Sequence, residues 1–352
     1  MAEATHDIEI RNLYKIFGPR AASLVTEVQA GMTKDELKAR HDHVLGLDDI
    51  NLTIPAGQIQ VVMGLSGSGK STLIRHINRL IDPTTGQVMF DGHDIVGMSQ
   101  PELRDFRRRK TAMVFQKFAL FPHRTVLENT AYGLTVRGID TVEATGRARR
   151  WISRVGLEGF EESYPNQLSG GMQQRVGLAR ALTNDAEILL MDEAFSALDP
   201  LIRTDMQTVL LDLQAELCKT VIFITHDLDE ALRLGDRIAI LRAGRIVQEG
   251  TGEQIVLKPK DGYIADFVRE VSRGKVIRLR TIMHRGVNAD AALCLPQDTT
   301  LEEAARAMTA ADVSRANVSD DSGDVAGNVS LARIVAQMIA PETGGVPQAL
   351  SA

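Results

Sequence analysis

Cysteine is nearly absent: the 352 residues hold two, Cys218 and Cys294, too far apart for any metal-ligand spacing. No disulfide framework is available, which points to a reducing compartment. Aromatic residues make up 4% of the chain, with a single tryptophan, leaving little material for base-stacking platforms. Positive charge is in deficit, 40 Lys and Arg against 46 Asp and Glu for a net charge of −6. Nucleic acid is therefore not expected as a partner, and the basic stretch Arg104–Lys110, broken by Asp105 and Phe106, reads as a solvated helix face. No apolar run approaches the ~20 residues that a spanning helix needs; the longest, around Ile188–Met191, Val221–Ile224 and Ile238–Leu241, are strand-length. The opening MAEATHDIEI has neither the basic nor the apolar region of a secretory leader. The expected place is the cytosol, with any membrane contact made through a partner.

The chain does contain an alternation of short β-rich runs with helical stretches, the pattern of a sheet flanked by helices. Gln58–Met63, Glu187–Met191 and Val221–Thr225 are apolar enough to be buried parallel strands. Between Gly18 and about Leu47, Thr33 followed by Glu36 is a capping-box pattern, which predicts a short helical hairpin on the surface without chemistry of its own. From about Thr281 the chain becomes rich in alanine. Thr300 opens a helix there, Ala316–Ser319 and Val325–Val329 suggest a hairpin, and Leu331–Ile339 a final helix.

Two motifs carry chemistry on their own residues. Gly64-Leu65-Ser66-Gly67-Ser68-Gly69-Lys70-Ser71 comes after a strand and precedes a helix predicted over Thr72–Leu80. Glycines at this spacing let successive backbone N–H groups turn inward around phosphate oxygens, and the helix N-terminus adds its positive end. Lys70 is then placed for the β- and γ-phosphates, and the Ser71 hydroxyl for Mg²⁺. The second motif, Ile188-Leu189-Leu190-Met191-Asp192-Glu193, is a buried strand ending in two carboxylates. Asp192 suits the metal, and Glu193 suits orienting and deprotonating an attacking water.

With Gln116, Leu168-Ser169-Gly170-Gly171-Met172-Gln173-Gln174-Arg175, Ser196-Ala197-Leu198-Asp199 and Thr225-His226-Asp227 present in that order, the chain resembles the nucleotide-binding subunits of ABC transporters over about residues 8–255. Met172 departs from the glutamine that many members carry. The resemblance implies an α/β fold: a RecA-like P-loop ATPase core, an antiparallel β subdomain and a helical subdomain. It divides the chain into a cassette over 1–270, with a helical insertion at about 19–46 and a signature subdomain at about 117–183. A small C-terminal α+β domain resembling a single CBS repeat spans 281–342, with a tail over 343–352.

The resemblance implies ATP and Mg²⁺ as cofactors. ATP would be held by Phe17, stacking on adenine with Tyr14 as the competing aromatic, and by Gly64, Leu65, Ser66, Gly67, Ser68, Gly69, Lys70, Ser71 and Thr72. Ser71, Gln116 and Asp192 would hold Mg²⁺, and Glu193, His226 and Gln116 would be catalytic. Ser169, Gly170, Gly171 and Asp199 would reach ATP held by a second copy, which makes the subunit a homodimer. A multi-span permease would dock in a groove near Gln116–Phe121, at the cytoplasmic face of a bacterial inner membrane, and an extracytoplasmic substrate-binding protein would act indirectly.

Within the family, Asn12–Gly18, the insertion and Met191–Arg203 resemble the ATPases of glycine betaine, proline betaine and choline importers. Alternatives are import of another solute such as an amino acid, or a non-transport ABC ATPase; the latter relatives resemble tandem cassettes, or carry coiled-coil or zinc insertions not found here. Gly327-Asn328-Val329-Ser330-Leu331-Ala332-Arg333 has a cation where CBS repeats that bind adenosine ligands carry an acid. A dimerisation or vestigial role for this C-terminal domain is therefore favoured over a ligand sensor.

Overall fold

The computed structural model describes residues 7–116, 118–196, 198–287 and 291–339. Two compact units divide the chain after Thr251.

In the first unit, β1 (Ile8–Phe17), β2 (Val44–Ile54), β4 (Thr85–Phe90) and β5 (His93–Asp94) form an antiparallel sheet in the order β2-β1-β4-β5. A second sheet comprises β3 (Ile59–Met63), β6 (Thr111–Val114), β7 (Ile188–Asp192), β8 (Thr220–Thr225), β9 (Arg237–Arg242) and β10 (Arg245–Gly250), in the order β10-β9-β3-β8-β7-β6. All its pairings are parallel except β9–β10. That hairpin turns through Ala243 and Gly244, both left-handed (φ 50° and 87°), a backbone that matches the twist of the flanking strands. Every residue of β3, β7 and β8 is buried, as parallel strands covered on both faces must be.

The helix Lys70–Ile77 lies between the sheets. Its Leu73, Ile74 and Ile77 share a core with Ile8, Ile10 and Leu52 of one sheet and with Val62, Leu190 and Ile222 of the other. It begins at Lys70 rather than at Thr72 because left-handed Gly69 (φ 108°) reverses the chain just before it. After the helix Gln100–Arg109 and β6 come the helices Val126–Val136, Thr141–Arg154 and Gly170–Thr183. Ala131, Ala144 and Ala148 around Leu134 let the first two approach closely. Asn129 is fully buried; it accepts from the Phe121 amide at 2.8 Å and donates to the carbonyls of Phe121, Arg124 and Thr125, holding the loop that enters this region.

In the insertion, the capping box is present: Thr33 N–H donates to Glu36 Oε2 at 2.9 Å, and Glu36 N–H to Thr33 Oγ1 at 3.3 Å. It opens the helix Lys34–His41. Leu24, Val28 and Leu37 then pack on Tyr14, Ile16 and Leu45 of β1 and β2.

The second unit carries β11 (His284–Arg285), β12 (Cys294–Pro296), β13 (Arg315–Ser319) and β14 (Val325–Ser330) in the order β11-β14-β13-β12. The helices Leu301–Ala310 and Leu331–Met338 contribute Leu301, Ala304, Met308 and Ile334 to a core with Ala316, Val318 and Val329. The division at 251 falls earlier than the 270 expected from sequence. Glu253 accepts from the Arg278 amide (2.7 Å) and the Thr281 hydroxyl (3.0 Å), and Leu257 packs on the core that contains Ile277. The helices Gly252–Leu257 and Gly262–Phe267 therefore belong to this unit. Residues 340–342 of the expected repeat and the tail 343–352 lie outside the described residues.

Asn129→Ala is expected to destabilise the first unit by about 1–3 kcal/mol, the cost of leaving buried backbone groups unpaired. Denaturant unfolding measures this, and a loss below about 0.5 kcal/mol would show that the loop finds other partners.

Candidate active site

The sheet register builds the site. Met63 stands opposite Thr225, Asp192 opposite Ile224, and Val114 opposite Met191. The carboxyl ends of β3, β8, β7 and β6 therefore fall along one edge. Beyond these strand ends the chain continues into the loop 64–69, His226, Glu193 and Gln116 respectively. Open parallel sheets place ligands at this edge.

In the loop after β3, Gly64, Gly67 and Gly69 are left-handed or extended at positive φ (152°, 76° and 108°). A side chain at Gly64 would place its Cβ 2.2 Å from the Leu241 carbonyl oxygen, so only glycine fits. Lys70 is 4% exposed, and its ammonium donates to the carbonyls of Gly64 (2.8 Å) and Leu65 (3.2 Å). The Ser68 hydroxyl is buried without a partner among the described residues, a donor available to an anion inside the loop.

Ser71 Oγ donates to Asp192 Oδ1 at 2.8 Å, and Arg75 lies 3.5 Å from the other carboxylate oxygen. Along a regular strand the next side chain would point away from Asp192. Glu193 instead adopts a left-handed backbone (φ 47°) while its amide still bonds the Ile224 carbonyl at 3.1 Å. Backbone strain at such a position persists only where its surroundings enforce it. The result is a carboxylate ringed by three groups: Gln116 Nε2 at 3.1 Å, Lys70 Nζ at 3.6 Å and His226 Nδ1 at 3.7 Å. His226 remains 56% exposed. The residue after it, Asp227, pairs with Arg203 at 3.3 Å, and Arg203 also donates to the Leu198 carbonyl at 3.2 Å. Arg203 thus ties the stretch containing Asp199 to the His226 loop, a role with no local signal in the sequence.

A cavity of about 410 Å³ is lined by Phe17, Lys34, Val44, Leu45, Gly46, Ser66–Thr72, Gln116 and Glu193, within the range of ligand pockets. Of the two candidate aromatics, Phe17 is 38% exposed in this wall, whereas Tyr14 is 7% exposed in the cluster under the insertion. The Lys15 ammonium sits 5.0 Å from the Phe17 ring centroid. Gly46 makes room for the ring: a Cβ there would lie 2.6 Å from Phe17 Cε2. Sequence reasoning missed Gly46 and Lys34, which become visible only when β1 pairs with β2.

Ser169, Gly170 and Gly171 do not line this cavity. They form the start of the helix Gly170–Thr183, where Ser169 Oγ accepts from the Met172 amide at 3.3 Å. Asp199 caps the helix Pro200–Leu217 by accepting from the Ile202 amide; its neighbour Ala197 lies outside the described residues. Below the site, Glu230 is 5% exposed. Burial pushes its carboxyl above the ordinary range, partly opposed by hydrogen bonds from Thr225 and Gln207.

The family described as ABC transporter matches residues 47–196. The chain is 55% identical over 278 residues to the glycine betaine transport ATP-binding protein OpuAA of Bacillus subtilis, covering 79% of this chain and 66% of that protein, so it spans about two thirds of that relative's length. It is 42% identical over 331 residues to the trimethylamine N-oxide transport system ATP-binding protein TmoW of Pelagibacter ubique, covering 93% and 96% respectively. A solved dimeric structure of the ATP-binding cassette MJ0796 in a post-hydrolysis state, bound to ADP and Pi, superposes with a TM-score of 0.60 at 33% identity, over 70% of this chain and 98% of that one. Among the described residues, no helix is long and apolar enough to cross a membrane.

Gly46→Ala is expected to displace Phe17 and weaken nucleotide binding about 2–10-fold, the worth of one aromatic stack; unchanged affinity in equilibrium titrations would remove Phe17 from the base site. Because the fold favours protonated Glu230, the stability this group contributes is present at low pH and lost as pH rises through its raised value. Glu230→Gln is therefore expected to raise the melting temperature at pH 7.5 and to leave it nearly unchanged at pH 4. An equal gain at both would refute the assignment.

Proposed function

This chain belongs to the ABC transporter family of ATP-binding proteins, and from that membership we propose that it is the ATP-hydrolysing subunit of an importer for a small methylated amine. The observation that carries the reading is the convergence of Lys70, Gln116 and His226 on Glu193.

With ATP in the loop, the amides of 64–69 and the Lys70 ammonium hold the phosphates; Lys70 exchanges the Gly64 and Leu65 carbonyls for phosphate oxygens. Glu193 orients the attacking water and accepts its proton. Gln116 and His226, which flank the same carboxylate, position that water and the γ-phosphate. The Ser71 hydroxyl and Asp192 carboxylate, 2.8 Å apart, are hard oxygen donors that suit Mg²⁺, and Gln116 lines the same cavity as Ser71; this ion commonly takes only one or two protein ligands and completes its shell with phosphates and water. When bound, Mg²⁺ neutralises charge on the terminal phosphates.

Because Ser169–Gly171 stand outside their own chain's cavity, a second copy supplies that turn together with Asp199, and the working unit is a homodimer closed by ATP. A separate cavity of about 420 Å³ is lined by Leu80, Met113, Phe115, Phe121, Tyr132 and Val136, with Arg107 and Arg180 among its polar residues. We assign it to the membrane-spanning partner, with this subunit lying on the cytoplasmic face of the membrane. The second unit is read as a single CBS-like repeat. Arg333 donates to the Ile282 carbonyl and offers no carboxylate to a ribose, which favours a dimerisation role.

The solute never meets this subunit, so its class rests on relatives. The betaine relative is the more similar in residues, and the trimethylamine N-oxide relative matches over nearly its whole length. Both solutes carry a methylated nitrogen.

Glu193→Gln is expected to bind ATP and accumulate as a closed dimer while hydrolysis falls about 10²–10⁴-fold. Steady-state ATPase assays with size-exclusion chromatography measure both, and near-normal turnover would remove Glu193 from the role. Uptake of labelled glycine betaine or trimethylamine N-oxide by vesicles carrying the complete transporter tests the solute class.

A further inference from the structure

The insertion does more than cover β1 and β2. Lys34, its contribution to the cavity wall, is half-buried and faces the same space as Phe17 and the phosphate loop. Three observations make its position unusual. It is the first residue of the helix Lys34–His41, where the aligned peptide dipoles are positive and disfavour a cation. No carboxylate among the described residues lies within ion-pair distance of its ammonium. Of the two nearest in sequence, Asp35 forms no ion pair with it, and Glu36 is committed to the capping box with Thr33 and lies 3.8 Å from Arg40. The helix is also held firmly, by that box and by Leu37 packed against Ile16 and Leu45, so the placement is built in. An unpaired cation carried on an anchored helix in the wall of this cavity lacks only its anion.

We propose that Lys34 is a nucleotide-binding residue whose ammonium contacts the nucleoside and α-phosphate half of the bound nucleotide. The loop amides and Lys70, which line the same cavity, already account for the terminal phosphates. The proposal rests on the reading of this cavity as the ATP site. It gives the insertion a role in ligand binding that its surface position does not advertise.

The test is equilibrium binding of ATP and ADP to the full-length protein and to Lys34→Ala, Lys34→Gln and Lys34→Arg, with Lys70→Ala alongside. Loss of a partly exposed charged contact is expected to weaken Lys34→Ala and Lys34→Gln about 3–30-fold, by the same factor for ATP and ADP. Lys34→Arg is expected to restore most of the affinity, which a loosened helix would not explain. Equal affinities of wild type and Lys34→Gln, with Lys70→Ala impaired, would overturn the role of Lys34 and leave the cavity's identity intact. So would a loss confined to ATP, which would place the ammonium on the γ-phosphate. Failure of the wild-type protein to bind either nucleotide would instead overturn the reading of the cavity.

Discussion

Parallel pairing of β3, β8, β7 and β6 is the constraint on which the rest of the site depends. β3, β7 and β8 are fully buried and mostly apolar, so a slip of register would strand several side chains in the wrong environment. With the register held, residues 64–70, 116, 192–193 and 226, far apart in the chain, meet at one edge. The helix Lys70–Ile77 is pinned between this sheet and the antiparallel one by Leu73, Ile74 and Ile77. Its N-terminus is thereby held at the cavity proposed to bind phosphate.

Charge balance at that edge arises from the same geometry. Buried Lys70 has Glu193 at 3.6 Å and two backbone carbonyls, one of them at 2.8 Å. Glu193 in turn is flanked by Gln116 and His226. A buried cation costs several kcal/mol in isolation, and the half-buried Glu193 carboxylate with the two carbonyls offsets part of that cost. The left-handed backbone of Glu193 is what brings its carboxylate round to the side of Asp192. A strained dihedral thus converts two neighbouring acids of one strand into two carboxylates sharing one site.

Much of the candidate site's local geometry was legible because it resides in contiguous residues whose spacing is dictated by the backbone. The loop 64–71, the Asp192-Glu193 pair and the Thr33–Glu36 capping box are of this kind, and each appears where its spacing places it. Contacts across the sheets were not legible. Gly46 is needed because Phe17 lies over it, and Lys34 reaches the cavity because Leu37 anchors its helix to β1 and β2. The first unit ends nearly twenty residues before its expected boundary for the same reason. Gly252–Leu257 reads as an ordinary helix, and its allegiance is decided by the bonds of Glu253 to Arg278 and Thr281.

By itself, the order of residues determined which groups this protein offers for the proposed phosphate binding and water activation, since glycine spacing and adjacent acids act through local backbone geometry. The tertiary structure decided which aromatic faces the ligand and where the two units divide. It also left Ser169–Gly171 outside their own cavity and supplied Lys34 and Arg203 as neighbours of the site. Those are outcomes of packing and strand pairing between distant segments, and such energies belong to the folded assembly rather than to any stretch of the chain.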